Sequence, residues 1–385
     1  MHSAASLLMT ADTCMDAVVP APLRRAGSTE APASCLAPPP TQVLVLSEIP
    51  GLAAALEAAT PVDAAEFTVA RLDAIGDRSD GSCQLSRDAL RRFPVIVADP
   101  PTFASSGIAD ACEGGRLRWV QSTYAGVDAL LRLTRNRSYT CTRLAGVFGQ
   151  AMAEYVVMHI LAVERRLLRD VRAQERREWG VKGNVASDGY RTMERLTMGV
   201  LGMGDIGTRV AEVASAMGMT VWACTSSGNI IGKDRPSSPY VSRCFRASDA
   251  DLKTFLGGCD YVVNLLPSTP QTRGLLSPAR LAWCNGGAVL INVGRGDIFG
   301  EVGGEDVVVA ALDAGHLRHA VLDVHAPVEP LPASSKLWGH PKVTVTPHNS
   351  ARSFPEDVAT AFANNLARFR EGAQLTHALD WEKGY

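Results

Sequence analysis

The strongest constraint on the fold is a glycine-rich stretch that follows a short apolar run. Residues 198–208 read MGVLGMGDIGT and contain Gly202-x-Gly204-x-x-Gly207 between a predicted strand and a predicted helix. The first glycine permits a tight turn, the second lets the backbone approach a pyrophosphate, and the third allows close helix–strand packing. The start of the helix offers free N–H groups to the phosphates. This context predicts a dinucleotide site, and a glycine-rich turn without a ligand is the alternative.

Apolar runs alternate with helical stretches along the chain, which predicts an α/β fold with parallel sheets. The first half contains predicted strands at 43–46, 95–98 and 117–121. Its predicted helices are 51–59, one that starts after Gly126, and one long helix over 151–177. The second half contains predicted strands at 198–201, 220–224, 260–265, 288–292, 320–323 and 343–345. Its predicted helices are 206–217, 248–256, 278–283, 305–314 and 355–371. Six strands with interleaved helices match one doubly wound domain, and 385 residues suit two domains.

Composition excludes several classes of partner. The formal net charge is −2 and no long Lys/Arg tract is present, which disfavours nucleic acid or a membrane surface. No apolar run reaches the ~18 residues that span a bilayer. Residues 1–40 are rich in Ala, Pro and Ser and are predicted to be a disordered tail. Organelle targeting by this tail is the alternative, although its acidic residues are unusual for a transit peptide.

The cysteines are scattered from Cys14 to Cys284 without a C-x-x-C pair. Zinc sites need clustered ligands, and a disulfide framework needs regular spacing, so we expect neither. Reduced thiols in a cytoplasmic location are the interpretation that this spacing favours.

Three polar side chains follow predicted strands in the second half of the chain. Arg295 follows the strand that ends near Asn292, Glu329 lies beyond Asp323, and His348 follows the last strand. Ligands of open α/β sheets bind beyond the carboxyl ends of the strands. An arginine offers a two-pronged donor for a carboxylate. A protonated imidazole can give a proton to a carbonyl oxygen, and a carboxylate beside it raises its pKa.

The chain resembles the D-isomer-specific 2-hydroxyacid dehydrogenases in several stretches. They are STYAGVDALL (122–131), GVFGQAMAEYVV (146–157), GVLGMGDIG (199–207), NLLPSTPQTRGLL (264–276), INVGRG (291–296), LDVHAPVEPLP (322–332) and TPH (346–348). The GVFG stretch and the ending DWEKGY resemble the glyoxylate/hydroxypyruvate reductase branch most. The resemblance implies a Rossmann cofactor domain (151–349) inserted into a discontinuous, flavodoxin-like substrate domain (41–150 and 350–385). It also implies a homodimer.

The resemblance further implies roles for single residues. Arg295 would grip the substrate carboxylate and polarise the keto oxygen, and His348 would be the general acid–base. Glu329 would orient and charge His348, although it lies one residue farther from the strand's aspartate than is usual in the family. The N–H groups of Ala125, Gly126 and Val127 would meet the carboxylate.

The cofactor would be NADP or NAD. The second strand of the nucleotide-binding unit ends in Thr225-Ser226-Ser227, with no carboxylate to accept from a ribose hydroxyl, which favours NADP. Lys233 and Arg235 could add positive charge or be solvated loop cations. The predicted cofactor contacts are Gly202, Met203, Gly204, Asp205, Ile206, Gly207, Thr225, Ser226, Ser227, Leu266, Pro267, Val293 and Asp323. Core packing is an alternative for Leu266 and Pro267, and support of the site from its strand end is expected of Asp323.

The expected function is therefore hydride transfer from NAD(P)H to a small 2-keto acid. A cofactor-sensing protein on the same scaffold, similar to transcriptional corepressors, is the alternative from another class. Formate as the substrate is disfavoured, because Glu329 stands where an amide would be expected.

Overall fold

The computed structural model describes residues 38–71, 85–105, 107–179, 190–228, 238–300 and 303–384. The predicted tail falls almost wholly on residues 1–37, outside these ranges, as do Lys233 and Arg235. Pro40–Tyr385 form one unit, to which both sheets described below belong.

The first sheet has five parallel strands in the order β2-β1-β3-β4-β5. Its strands are β1 (Thr41–Leu46), β2 (Ala65–Val69), β3 (Val95–Ala98), β4 (Trp119–Ser122) and β5 (Thr140–Thr142). This is the flavodoxin-like strand order that the family resemblance implied. The central strands are apolar at successive positions because helices cover both faces of the sheet, whereas β2 and β5 lack such a run and were not predicted.

The helices around this sheet include the last helix of the chain. They are α1 (Leu52–Ala59), α2 (Arg87–Leu90), α3 (Pro100–Ser105), α4 (Ile108–Ala111), α5 (Asp128–Leu133) and α12 (Pro355–Arg370). Phe362 of α12 stacks on Trp119 of β4 at 5.2 Å between ring centroids. Leu366 joins the same buried cluster as Leu56 of α1. The end of the chain thereby completes the core of the first sheet.

The second sheet has seven parallel strands in the order β12-β11-β10-β9-β6-β7-β8. They are β6 (Thr197–Leu201), β7 (Thr220–Thr225), β8 (Arg243–Arg246), β9 (Tyr261–Asn264), β10 (Val289–Asn292), β11 (His319–Leu322) and β12 (Val343–Val345). The order is that of a Rossmann fold with one added strand. All six predicted strands are present. The sequence missed the edge strand β8, because RCFR contains no apolar run.

Within the described ranges, the helices on or beside the second sheet are α6 (Gly149–Glu164), α7 (Leu167–Glu175), α8 (Asp205–Ala216), α9 (Asp249–Gly258), α10 (Pro278–Leu281) and α11 (Gly304–Asp313). Val263 lies in the cluster that α6 and α8 cover, and its neighbour Val262 lies in the cluster under α9 and α11. Neighbouring strand residues thus face opposite helical layers.

The prediction of one helix over 151–177 was wrong. The chain breaks between α6 and α7 at Arg166, whose φ of 55° lies in the left-handed region. Just before the break, the buried carboxylate of Glu164 accepts hydrogen bonds from Arg191, Tyr261 and Arg318. This anchor holds the end of α6 against the sheet, while α7 buries no residue. Helical periodicity alone does not reveal such an anchor.

No helix within the described ranges is long and apolar enough to cross a membrane.

Candidate active site

The glycine-rich loop between β6 and α8 has the geometry that a dinucleotide requires. Gly202 has a φ of 98°, and a Cβ on Gly207 would lie 2.0 Å from the carbonyl oxygen of Gly202. A Cβ on Gly204 would meet nothing within 4 Å, so the backbone there is open to a ligand. A cleft of about 510 Å³ adjoins the loop, and its lining includes Asp205, Ile206 and Gly149. The loop and the start of α8 therefore suit a pyrophosphate.

The other predicted cofactor residues differ in how far they are buried around this loop. Thr225 is half-buried, and Ser226 and Ser227 are exposed just after β7. A Cβ on Gly202 would lie 3.1 Å from Cδ2 of Leu266, so Leu266 borders the loop. Met203 packs partly buried against the core beside it, while Pro267 is exposed. Val293 is buried in the core, where only its backbone could serve a ligand.

Arg295 reaches from the end of β10 to the first sheet. Its Nε donates to Oδ2 of Asp128 at 2.9 Å, and its Nη1 donates to the carbonyl oxygen of Gly294 at 2.7 Å. A Cβ on Gly126 would lie only 1.9 Å from Nη2 of Arg295. The arginine therefore lies against the 125–127 segment, in which Ala125 is half-buried and Val127 buried. Sequence reasoning missed Asp128, although it directly follows that segment.

His348 and Glu329 form the predicted pair. Nδ1 of His348 lies 2.8 Å from Oε2 of Glu329, and the backbone N–H of His325 donates to Oε1 at 2.6 Å. The hydrogen bond to Glu329 raises the pKa of His348; burial and the charge of Arg295 oppose the rise without cancelling it. Burial alone would raise the pKa of Glu329, but its hydrogen bonds with His348 and His325 bring it below the ordinary value. The shifts favour an imidazolium–carboxylate pair.

A buried carboxylate holds the loop that carries His348. Asp323 is fully buried and accepts hydrogen bonds from the Thr346 hydroxyl (2.6 Å) and the N–H groups of Asn349 and Ser350 (3.0 Å each). Its carbonyl oxygen accepts from the N–H of His348, whose φ of 50° is rare for a residue with a side chain. The hydroxyl of Tyr155 on α6 lies 2.6 Å from that of Thr346. These contacts suit Asp323 to support the site from its strand end.

The arrangement can bind an anion and move a proton at one place. A guanidinium, a carboxylate-backed imidazole and an open glycine loop all lie at the carboxyl edge of the second sheet. Within the described ranges, no group of His, Cys, Asp or Glu side chains is arranged to hold a metal ion. The fold and the site together are those of a nicotinamide-dependent dehydrogenase.

Comparison with known families gives the same result. The family model described as "D-isomer specific 2-hydroxyacid dehydrogenase, NAD binding domain" matches residues 157–350. The chain therefore belongs to the D-isomer specific 2-hydroxyacid dehydrogenase family, as its motifs predicted.

Individual relatives extend the match beyond the nucleotide-binding part. The chain is 32% identical over 280 residues to glyoxylate/hydroxypyruvate reductase A of Serratia proteamaculans, an alignment covering 70% of this chain and 82% of that relative. A crystal structure of a family member from Aeromonas salmonicida superposes with a TM-score of 0.73 at 33% identity, covering 89% of this chain and 99% of that one. A member from Xanthobacter autotrophicus, solved with NADPH and MES, gives 0.72 at 29% identity, with coverages of 90% and 100%. None of these three supports the corepressor alternative.

Proposed function

We propose that this chain reduces a small 2-keto acid, such as glyoxylate or hydroxypyruvate, to the 2-hydroxy acid, and that it prefers NADPH as the hydride donor. The observation that supports the proposal most directly is the hydrogen bond between Glu329 and His348 beside Arg295. The reductase named in Serratia and the NADPH complex named in Xanthobacter point to the same substrate class and cofactor.

Each group of the site would have a separate role in the reaction. The loop around Gly204 and the start of α8 would hold NAD(P)H, which when bound supplies the hydride. Arg295 would bind the substrate carboxylate through its Nη2, which lies next to residues 125–127, because Asp128 and the carbonyl oxygen of Gly294 hold its Nε and Nη1. His348 would donate its proton to the carbonyl oxygen as negative charge develops there. Glu329 stabilises the imidazolium form, raises the pKa of His348 and so helps it to retain that proton.

A panel of small 2-keto acids tests the proposal. Oxidation of NADPH and of NADH is followed at 340 nm with each acid, and cofactor binding is measured separately by fluorescence titration. We expect turnover with at least glyoxylate or hydroxypyruvate, and a fall of at least ~100-fold in His348→Asn, which leaves cofactor binding intact. Cofactor binding without any turnover across the panel would contradict the proposal.

We further propose that residues 41–150 and 350–385 form the substrate domain and residues 151–349 the cofactor domain. The contact of α12 with α1 and β4, and the bridge from Thr142 to Ala378, support the assignment of the chain's end to the first domain.

We also propose a cytoplasmic homodimer. Exposed apolar side chains cluster on α6 and α7, where they are the kind of patch that a second copy would cover: Met158, Leu161, Leu167, Leu168 and Val171. Light scattering tests this assignment. The wild-type chain should have the mass of a dimer, and Leu167→Glu with Leu168→Glu should shift it toward the monomer. A wild-type monomer would overturn the proposal.

A further inference from the structure

We propose that Arg246 selects NADPH over NADH by binding the 2′-phosphate of the adenosine ribose. This inference deepens the proposed function and rests on its assignment of a dinucleotide to the Gly204 loop. The second strand of a Rossmann unit ends beside that ribose, where NAD sites usually carry an acidic side chain. Here β7 ends at Thr225, and the turn that follows, residues 226–228, has no carboxylate to repel a phosphate.

The strand pairing places Arg246 at this edge. Strand β8 runs parallel to β7, and Arg246, its last residue, lies opposite Thr225, the last residue of β7. The N–H of Ala247 donates to the carbonyl oxygen of Thr225 at 3.2 Å, which continues the pairing one residue further. Two parallel strands that end together present their final side chains to the same ligand space.

The side chain of Arg246 extends over the turn after β7. A Cβ on Gly228 would lie 2.3 Å from Cγ of Arg246 and 3.1 Å from its Nε. The arginine side chain can take this position because residue 228 has no side chain. Gly228 has a φ of 72°, which also favours glycine. The side chain of Arg246 thereby lies against the turn that follows β7.

The guanidinium of Arg246 is available for a ligand. Arg246 is exposed, and its backbone N–H donates to Oδ2 of Asp251 at 3.1 Å. Within the ranges that the structure describes, its guanidinium has no hydrogen bond or ion pair. Arg243 on the same strand differs, because its guanidinium lies over the rings of Trp222 (4.6 Å) and Phe245 (4.8 Å). Arginine binds phosphate through two parallel hydrogen bonds, so Arg246 fits the 2′-phosphate.

The test compares Arg246→Gln with Arg243→Gln. Both variants remove one positive charge from β8, but only position 246 lies beside the end of β7. Fluorescence titration measures the Kd of NADPH and NADH, and calorimetry measures the Kd of 2′,5′-ADP and 5′-AMP. We expect Arg246→Gln to weaken NADPH and 2′,5′-ADP by roughly 10- to 100-fold, as for the loss of a charge-assisted hydrogen bond. NADH and 5′-AMP should change little, Arg243→Gln should resemble wild type, and Arg246→Lys should recover part of the affinity.

Three results would overturn the inference. They are equal losses for the phosphorylated and unphosphorylated ligands, wild-type binding of 5′-AMP as tight as that of 2′,5′-ADP, and loss of NADPH only in Lys233→Gln/Arg235→Gln. Because these titrations need no turnover, they stay decisive even if every keto acid is inert. Conversely, turnover that persists with NADH in Arg246→Gln would leave the proposed function intact.

Discussion

Gly126→Ala tests the position of Arg295 without changing any charged group. A methyl group at residue 126 would lie 1.9 Å from Nη2 of Arg295 and 3.1 Å from its Cζ. A Cβ atom essentially never lies closer than 3.0 Å to a non-bonded heavy atom, so Nη2 of Arg295 and residue 126 must move apart by at least about 1.1 Å. Displacement of a substrate-binding group by ~1 Å can cost about 100-fold in rate. We therefore expect kcat/KM for the keto acid to fall by roughly that factor.

The assay is steady-state reduction of glyoxylate or hydroxypyruvate, with NADPH binding and thermal unfolding measured in parallel. Gly339→Ala is the matched control, because a Cβ there would meet nothing within 4 Å. The control should retain wild-type kinetics, and both variants should bind NADPH normally. If Gly126→Ala keeps its kcat/KM, or loses NADPH affinity in proportion, displacement of Arg295 is the wrong explanation.

Three further predictions concern charged groups. Glu329→Gln should move the alkaline limb of the reduction rate to lower pH, because the variant loses the hydrogen bond that raises the pKa of His348; an unmoved limb would remove Glu329 from the pair. Arg295→Lys should lower kcat/KM by at least ~100-fold, because lysine lacks the planar fork, and near-normal kinetics would argue against carboxylate binding there. Glu164→Gln should lower the free energy of unfolding in urea by about 3 kcal/mol, whereas Glu178→Gln, in an exposed pair, should change it little. Hydrogen bonds from arginine and tyrosine outweigh burial and lower the pKa of Glu164 from 4.5 to about 2, so its contribution holds above pH 4.5 and is lost as the pH falls toward 2. Equal losses of unfolding free energy in Glu164→Gln and Glu178→Gln would refute this account.

Much of the fold was predictable because its signals are local. The strands β6, β9, β10 and β11 are largely apolar and buried, as strands covered on both faces must be. The glycine-rich loop could be predicted equally well, because each of its glycines meets a conformational or steric requirement that other residues meet poorly. Strand β8 was missed because its sequence, RCFR, contains no apolar run and its two arginines are exposed.

The candidate site was predictable in part. Arg295, Glu329 and His348 stood out through their motifs, and His348 and Glu329 are near in sequence, only 19 residues apart. Asp128 and Tyr155 did not stand out, because their partners are 167 and 191 residues away along the chain.

The sequence by itself determined the layered α/β class, the glycine-rich loop and the places of Arg295, Glu329 and His348 after their strands, because these depend on spacing between near neighbours. Only the tertiary structure decided that Arg295 pairs with Asp128 across the two sheets, that α6 ends at the buried Glu164, and that Arg246 lies opposite Thr225. These relations depend on how distant segments pack. The free energy of that packing is shared among many residues, so no single stretch of sequence encodes it.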